Sequence, residues 1–302
     1  MVLAYLVRAE GAAMHASIGT MSGCLLNIVL DPIFILPWGL NMGAAGAGCA
    51  TFLSNCVSCI YFFVLLAAKR GHTYVCIDPR RFRFQRAIAF GVMAVGVPAA
   101  VQNLLNVTGM TVLNNFTASY ETDAVTAMGI AQKISMVPMY IALGISQGIM
   151  PLVSYNYASG NHRRMRRTVL FAGVVSAGAL TVMCAGLYGF ANHLLWAFMK
   201  NEHIASLGTS FLRGLCLAPP FMCVDFLAVG VFQACGMGGK SFIFAILRKI
   251  VLEIPALYLL NRLFPLYGLA YAQPLAEVTL AIAAVVVLIT MFKRMKPVTP
   301  IE

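Results

Sequence analysis

Eight apolar runs, at roughly residues 12–36, 44–68, 87–116, 124–155, 168–191, 205–235, 241–263 and 267–292, take up most of this 302-residue sequence. Each reaches the ~20 residues that a helix needs to cross the hydrocarbon layer of a bilayer. No water is available there to bond a bare N–H or C=O, so a run of this length folds as an α-helix, which bonds its own backbone. The fold class that follows is all-α, a polytopic membrane protein with eight transmembrane helices. The composition agrees: 60% of residues are hydrophobic and 10% charged, against about 25% charged in an ordinary soluble domain. A water-soluble fold so composed would expose a large sticky surface. That excludes a soluble enzyme, a nucleic-acid-binding domain and a disordered tail.

The connections set the expected orientation. Residues 69–86 hold Lys69, Arg70, Arg80, Arg81, Arg83 and Arg86, and residues 156–167 hold Arg163, Arg164, Arg166 and Arg167. Lys240 lies in a third connection, and Lys293, Arg294 and Lys296 follow the last run. With Arg8, these are fifteen basic residues on one side, while the other side has Lys200 and Arg262 beside the acidic pair Glu121 and Asp123. The positive-inside rule then puts both ends of the chain in the cytoplasm, with the spans in the plasma membrane. The net charge of +11 reflects this sorting and not a phosphate-binding surface. Trp38, Trp196, Tyr267 and Tyr271 fall near expected span ends, where amphipathic rings prefer to sit.

Little else in the sequence speaks for chemistry on bound groups. Eight of the nine cysteines lie in or beside apolar runs and read as small buried hydrophobes, with Cys76 alone in a basic loop. The one CxxC, Cys56 to Cys59, has no second pair or nearby histidine, so no metal and no cofactor is expected. The Gly236–Lys240 tract lacks the spacing of a phosphate loop and reads as a turn. Prolines inside the runs (Pro32, Pro98, Pro138, Pro219, Pro220 and Pro255) predict kinks, either around an internal cavity or as packing devices.

The chain also repeats itself. At an offset of 225 residues, Arg8-Ala9-Glu10-Gly11 falls on Gln233-Ala234-Cys235-Gly236, and Ile18 falls on Ile243. At the same offset Gly43 to Ala47 falls on Gly268 to Ala272, with Gly43, Ala45 and Ala47 matched identically. The unit that starts near residue 86 contains six helices, and its counterpart would start about 139 residues before Met1. The expectation is a two-lobe, 6+6 parallel-repeat transporter represented by its last eight helices. Residues 1–68 are then a two-helix remnant of the N-terminal lobe and 69–86 a basic inter-lobe loop. Residues 87–292 are the C-terminal six-helix lobe, and 293–302 a cytoplasmic tail.

Three strings carry a family resemblance. Asn27-Ile28-Val29-Leu30-Asp31-Pro32-Ile33-Phe34-Ile35, followed by Gly43-Ala44-Ala45-Gly46-Ala47, resembles the fifth helix and following turn of the multidrug and toxic compound extrusion (MATE) family. Gly96-Val97-Pro98 resembles the start of that family's seventh helix. Leu143-Gly144-Ile145-Ser146-Gln147-Gly148, through Pro151 to Tyr155-Asn156-Tyr157-Ala158 and the arginine tract, resembles its eighth helix and the loop after it. The resemblance implies an antiporter that exports organic, often cationic, drugs in exchange for H+ or Na+, with a cleft between its two lobes. It also implies that the first four helices, and the aspartate often carried by the first of them, lie outside this sequence. Many members have a glutamate eight residues after the Gly-Xaa-Pro proline; here Asn106 stands there and cannot titrate.

A charge at mid-bilayer is disfavoured by about 2.5–3.5 kcal/mol, so each one needs a reason. Asp225, beyond the Pro219-Pro220 break, is a candidate proton or cation carrier, or else one half of a salt bridge to Arg213 or Lys133. Glu253 and Glu277 are candidates too. Either could instead pair with Arg248 or Lys249, and Lys249–Glu253 has the i, i+4 spacing of an intrahelical pair. Asp31, before its kinking proline, reads as a structural residue at a helix break or an ion ligand. Gln102, Asn103 and Asn106 form a polar band in the third run, lining a cavity or holding helices together. Gln132, Lys133, Met136, Tyr140 and Gln147 in the fourth run are further substrate-cavity candidates, although Lys133 could snorkel outward.

The expected partners are small organic cations and membrane lipid, with no nucleic acid. Alternatives are a flippase for lipid-linked saccharides, which would need a strongly basic cavity, and an inactive truncated transporter. No clustered catalytic residues suggest an enzyme.

Overall fold

The computed structural model describes residues 2–37, 39–69, 73, 75 and 84–295. Trp38, His72, Cys76, Lys296 and the loop arginines at 70, 80, 81 and 83 lie outside them. The chain divides into two compact units, Met1–Phe84 and Gln85–Glu302.

The first unit is a small helical group. A short helix α1 (Val2–Ala9) leads into α2 (Ala13–Ile35), which packs along α3 (Gly43–Ala68). Small residues let the last two approach closely, as is usual between helices in lipid. A Cβ on Gly19 would strike the Phe62 ring, and the Ser58 hydroxyl donates to the Gly19 carbonyl at 2.8 Å.

The second unit has α4 (Arg86–Ala118), α5 (Thr122–Ala158), α6 (His162–Gly189), α7 (Ala191–Phe198), α8 (Glu202–Leu215) and α9 (Pro219–Ala234). Then come α10 (Gly238–Ile246), a π-helical turn (Leu247–Glu253), α11 (Ile254–Leu263) and α12 (Gly268–Arg294). Asn161 and Asn201 cap α6 and α8, each accepting backbone N–H groups on its side-chain oxygen. Helices α5 and α9 are the middle of the unit, and α5 packs on α8, α9 and α6. The α5–α8 seam is built on fully buried Ala124, Ala127 and Ala131, with Gly208 opposite. Ser146 ties α5 to α9 by donating to the Phe226 carbonyl at 2.6 Å.

Among the described residues, six helices are long and apolar enough to cross a membrane, or seven if α8 and α9 count as one bent span. The expected runs acquire detail here. The 205–235 run is two helices that meet at 45°, with Pro219 and Pro220 opening the second, where their missing N–H groups do no harm. The 241–263 run is not one regular helix. It is α10, the π-turn and α11 in succession, and its charges lower its apolar character. Pro98 and Pro138, expected to kink their spans, sit inside the unbroken helices α4 and α5.

The repeat is visible in backbone geometry. Gly11 has φ +86° and Gly236, 225 residues later, φ +71°. Asn41 has φ 49° and Leu266, at the same offset, φ 66°. These two are the only non-glycine residues with positive φ among those described. Helix starts agree as well: Ala13 matches Gly238 and Gly43 matches Gly268. Unusual φ values are not a matter of composition, so they support the repeat independently of the alanine- and glycine-rich matches.

A buried charge cluster and an exposed polar stripe

The π-turn has a local cause. Pro255 has no N–H for the carbonyl four residues back, and its ring crowds that carbonyl, so an α-helix running through it must adjust. In lipid such breaks are repaired by local widening. Here Ile254 N–H bonds to the Lys249 carbonyl, a five-residue step, and residues 247–253 follow that pattern. Widened turns of this kind occur often at functional sites. On a regular α-helix, positions 248 and 253 would point about 140° apart. In the wider turn Arg248, Lys249 and Glu253 are all buried.

Three carboxylates and two basic groups therefore meet inside the unit. Asp225 on α9 is 1% exposed and Glu277 on α12 is fully buried. Arg248 donates Nε to Glu277 Oε1 at 2.7 Å, and its Nη2 lies 2.6 Å from the same oxygen. Its Nη1 lies 3.6 Å from Asp225 Oδ2, an ion pair without a hydrogen bond. The guanidinium also stacks over the Phe226 ring, 4.8 Å from its centre. One helical turn on, Lys249 Nζ donates to Glu253 Oε1 at 2.7 Å. Gly109 of α4 makes room for this second pair, since a Cβ there would be 3.1 Å from Lys249 Cδ. Asp225 Oδ1, Arg248 Nη1 and Glu277 Oε2 are buried with no hydrogen-bond partner.

Of the sequence candidates, Asp225, Glu253 and Glu277 are thus brought together. The partner of Asp225 is Arg248, not Arg213 or Lys133 as the sequence suggested: Arg213 stacks on Tyr188 and Lys133 is exposed. Lys249–Glu253 is the i, i+4 pair anticipated, and Glu277 takes Arg248. Asp31 lies in the first unit, half-buried, with Asn27 Nδ2 3.3 Å from its Oδ1.

The remaining candidates lie on α4 and α5. Gln102 and Asn106 are half-buried on α4, and Asn103 is exposed with its amide bonded to the Ala99 carbonyl at 3.1 Å. Gln132 is buried, its Nε2 3.4 Å from Asn114 Oδ1, and Met136 is half-buried. Lys133, Tyr140 and Gln147 recur every seven residues along one side of α5; the first two are exposed and Gln147 is half-buried. Gly144 and Gly148 on the same helix have open space around them. The sequence reading gave Arg248 no functional part, and it missed the π-turn. The signal was present in three charges that fit no single α-helical face, followed by a proline.

The comparisons with known proteins agree with this architecture. The MatE family model matches residues 98–259. The chain is 30% identical over 288 residues to the multidrug export protein MepA of Staphylococcus aureus (strain bovine RF122 / ET3-1), covering 95% of this chain and 62% of that protein. MepA of Staphylococcus haemolyticus (strain JCSC1435) is 30% identical over 296 residues, covering 97% of this chain and 64% of that one. The chain thus spans less than two-thirds of the length of these curated relatives. Among solved structures, the outward-facing conformation of a multidrug resistance MATE family transporter of the MOP superfamily superposes with a TM-score of 0.89 at 26% identity, over 97% of this chain and 65% of that one. A MOP superfamily transporter from Pyrococcus furiosus gives a TM-score of 0.88 at 26% identity, over the same shares.

Proposed function

The chain belongs to the MatE family, and from that premise we propose that it works in a secondary antiporter that exports small organic cations in exchange for H+ or Na+. The observation that carries this reading is the Asp225–Arg248–Glu277 cluster with its neighbour Lys249–Glu253. Ionised carboxylates inside a membrane lobe are retained for a purpose, and ion pathways are the usual one. With all five groups ionised the cluster has one negative charge in excess, so it takes up one positive charge at neutrality. Exchange of that one charge for a monovalent organic cation is electroneutral, so the gradient of the coupling ion drives export, about 1.4 kcal/mol for each tenfold difference in its concentration.

The substrate path runs along the α5 stripe of Lys133, Tyr140 and Gln147. A lysine amid a span is costly against lipid and tolerable against water, which favours an aqueous path there. Gln102, Asn103 and Asn106 on α4 add amide contacts that orient a cation through their oxygens, and the thioether of Met136 adapts to varied apolar groups. A saccharide flippase would need several cations for a pyrophosphate. The described residues offer Lys133 alone on this stripe, and the buried cluster has the opposite sign. The positive-inside rule favours a cytoplasmic position, at the plasma membrane, for Arg163, Arg164, Arg166 and Arg167.

The test uses the protein as its gene encodes it, reconstituted into proteoliposomes with a fluorescent organic cation. Exchange driven by an imposed pH or sodium gradient is expected, with Asp225→Asn reducing the rate at least ~10-fold, or about 1.4 kcal/mol of barrier. Equal rates in wild type and D225N would sink the assignment of the cluster.

A further inference from the structure

We propose that the start of α6 clamps the phosphate of an anionic phospholipid: Arg163, Arg164, Arg166 and Arg167 form one outward face that grips the headgroup, continuous with an exposed apolar face that takes the acyl chains. The site shares no residue with the charge cluster or the α5 stripe, so it stands apart from the antiport reading.

Helical spacing gathers the four arginines. At 100° per residue Arg166, Arg163, Arg167 and Arg164 follow one another within an arc of about 160°. All four are exposed. Met165, in the middle of the tract, points about 180° from the centre of that arc and is fully buried. Val169, Ala172 and Ser176 continue this buried side, within about 40° of Met165. On the arginine side the helix goes on with Leu170, Phe171 and Val174, exposed at 54, 73 and 73%. The 28 residues of α6 make a helix of about 42 Å, against about 30 Å of hydrocarbon. The surplus length at its start, His162 to Arg167, puts the arginines at headgroup depth, and the apolar face begins where the hydrocarbon does.

The protein leaves these charges unanswered. Among the described residues no side-chain hydrogen bond, ion pair or ring contact engages any of the four guanidinium groups. The helices packed on α6 carry the acids Asp123, Glu202 and Asp225. Asp123 and Glu202 are in the first turns of α5 and α8, at the far end of α6, and Asp225 faces Arg248. Helix α6 has no acid in its own first turn. Cations there repel one another and the positive end of the helix dipole, so an anion from outside stabilises the helix start as it binds.

A phosphodiester fits this demand. Guanidinium bonds two phosphate oxygens at once through a planar fork, which the ammonium of lysine does not have. Topology selection requires charge alone and is served by either residue; the tract has arginine at all four positions. Arg163 and Arg167 are one turn apart and therefore neighbours, as are Arg163 and Arg166, so adjacent forks can close on one phosphate. The apolar face alongside assigns that phosphate to a lipid and not to a soluble anion.

The test separates fork from charge, on the protein as its gene encodes it, in mixed micelles with equal parts of phosphatidylglycerol and phosphatidylcholine. Native mass spectrometry reads the ratio of the two lipids bound. Replacing all four arginines by lysine keeps the charge and hence the topology. It should lower that ratio at least about fivefold, the scale of one basic contact with an anionic membrane surface. The double variant Lys293→Gln, Arg294→Gln takes two charges from the end of α12 and should leave the ratio unchanged. Phosphatidylglycerol with a diazirine in its acyl chain should label residues 168–189. A lysine variant that binds as wild type does, or an α12 variant that loses as much as the lysine variant, overturns the clamp, because charge alone then suffices. Displacement of the lipid by glycerol phosphate at equal concentration overturns the lipid occupant in favour of a soluble anion. Failure of the diazirine lipid to label α6 overturns it in favour of protein, another segment of the chain or a second copy.

Discussion

A buried arginine in a membrane lobe is stable only while both its charge and its N–H groups are answered. Arg248 has Glu277 for the first and part of the second, with Asp225 at a longer reach. Removing one member of such a set leaves the others uncompensated, which typically destabilises by about 3–5 kcal/mol. Arg248→Met is therefore expected to lower the thermal midpoint of the detergent-solubilised protein strongly. The triple variant Asp225→Asn, Arg248→Met, Glu277→Gln should recover most of that loss, because no charge is then stranded. A triple variant no more stable than the single one would show that the arginine matters for its shape and not for its charge. Gly109 makes a second residue-level case. A side chain there must displace the Lys249–Glu253 pair, with Lys249 Nζ 3.2 Å and Glu253 Oε1 3.3 Å from the position of its Cβ. Gly109→Val should destabilise by about 1–3 kcal/mol through overpacking, read in the same melting experiment. The sequence showed that Asp225, Glu253 and Glu277 needed reasons to be in a membrane. It offered Arg248 and Lys249 to the two glutamates but not Arg248 to Asp225, because that pair joins residues 23 positions apart through packing that no local pattern encodes.

At the scale of the element, the spans were legible because bilayer thickness sets a minimum length and apolar runs of that length have few other uses. The π-turn was not, since the pattern of charges could be read only by assuming a helix period that the turn itself changes. Its dependence on Pro255 can be tested. Pro255→Ala restores an N–H that can reach the Val251 carbonyl, so the segment can close into a regular α-helix. Hydrogen exchange read by mass spectrometry should then show stronger protection across residues 251–259. Because Arg248 and Glu253 would swing apart, gradient-driven exchange should fall by roughly tenfold, about 1.4 kcal/mol of barrier. Stronger protection with undiminished exchange would show that the turn is a packing adjustment without part in coupling.

Across the whole molecule, the two copies share their joints and differ in their contents. Gly11 and Gly236 hold the same left-handed turn before equivalent helices, yet Arg248 and Lys249 correspond at the repeat offset to Gly23 and Cys24, and Glu253 to Ile28. The matching α2 is an unbroken α-helix. One copy therefore carries charges where the matched positions of the other carry Gly23, Cys24 and Ile28, and the repeat should be strictest where backbone geometry demands it. A Cβ at Gly11 or Gly236 meets nothing within 4 Å, so any effect of substitution there comes from the backbone alone. For an L-residue the left-handed conformation is disfavoured by roughly 1–2 kcal/mol. Gly11→Ala and Gly236→Ala are expected to destabilise by similar amounts on that scale. Gly178→Ala, in the interior of α6 with equally open surroundings, should instead stabilise by up to about 1 kcal/mol through helix propensity. Thermal melts of the three variants against wild type decide the matter. If the two turn variants differ by more than their separation from G178A, the turns are not equivalent joints, and the shared φ values lose their force as a sign of common construction.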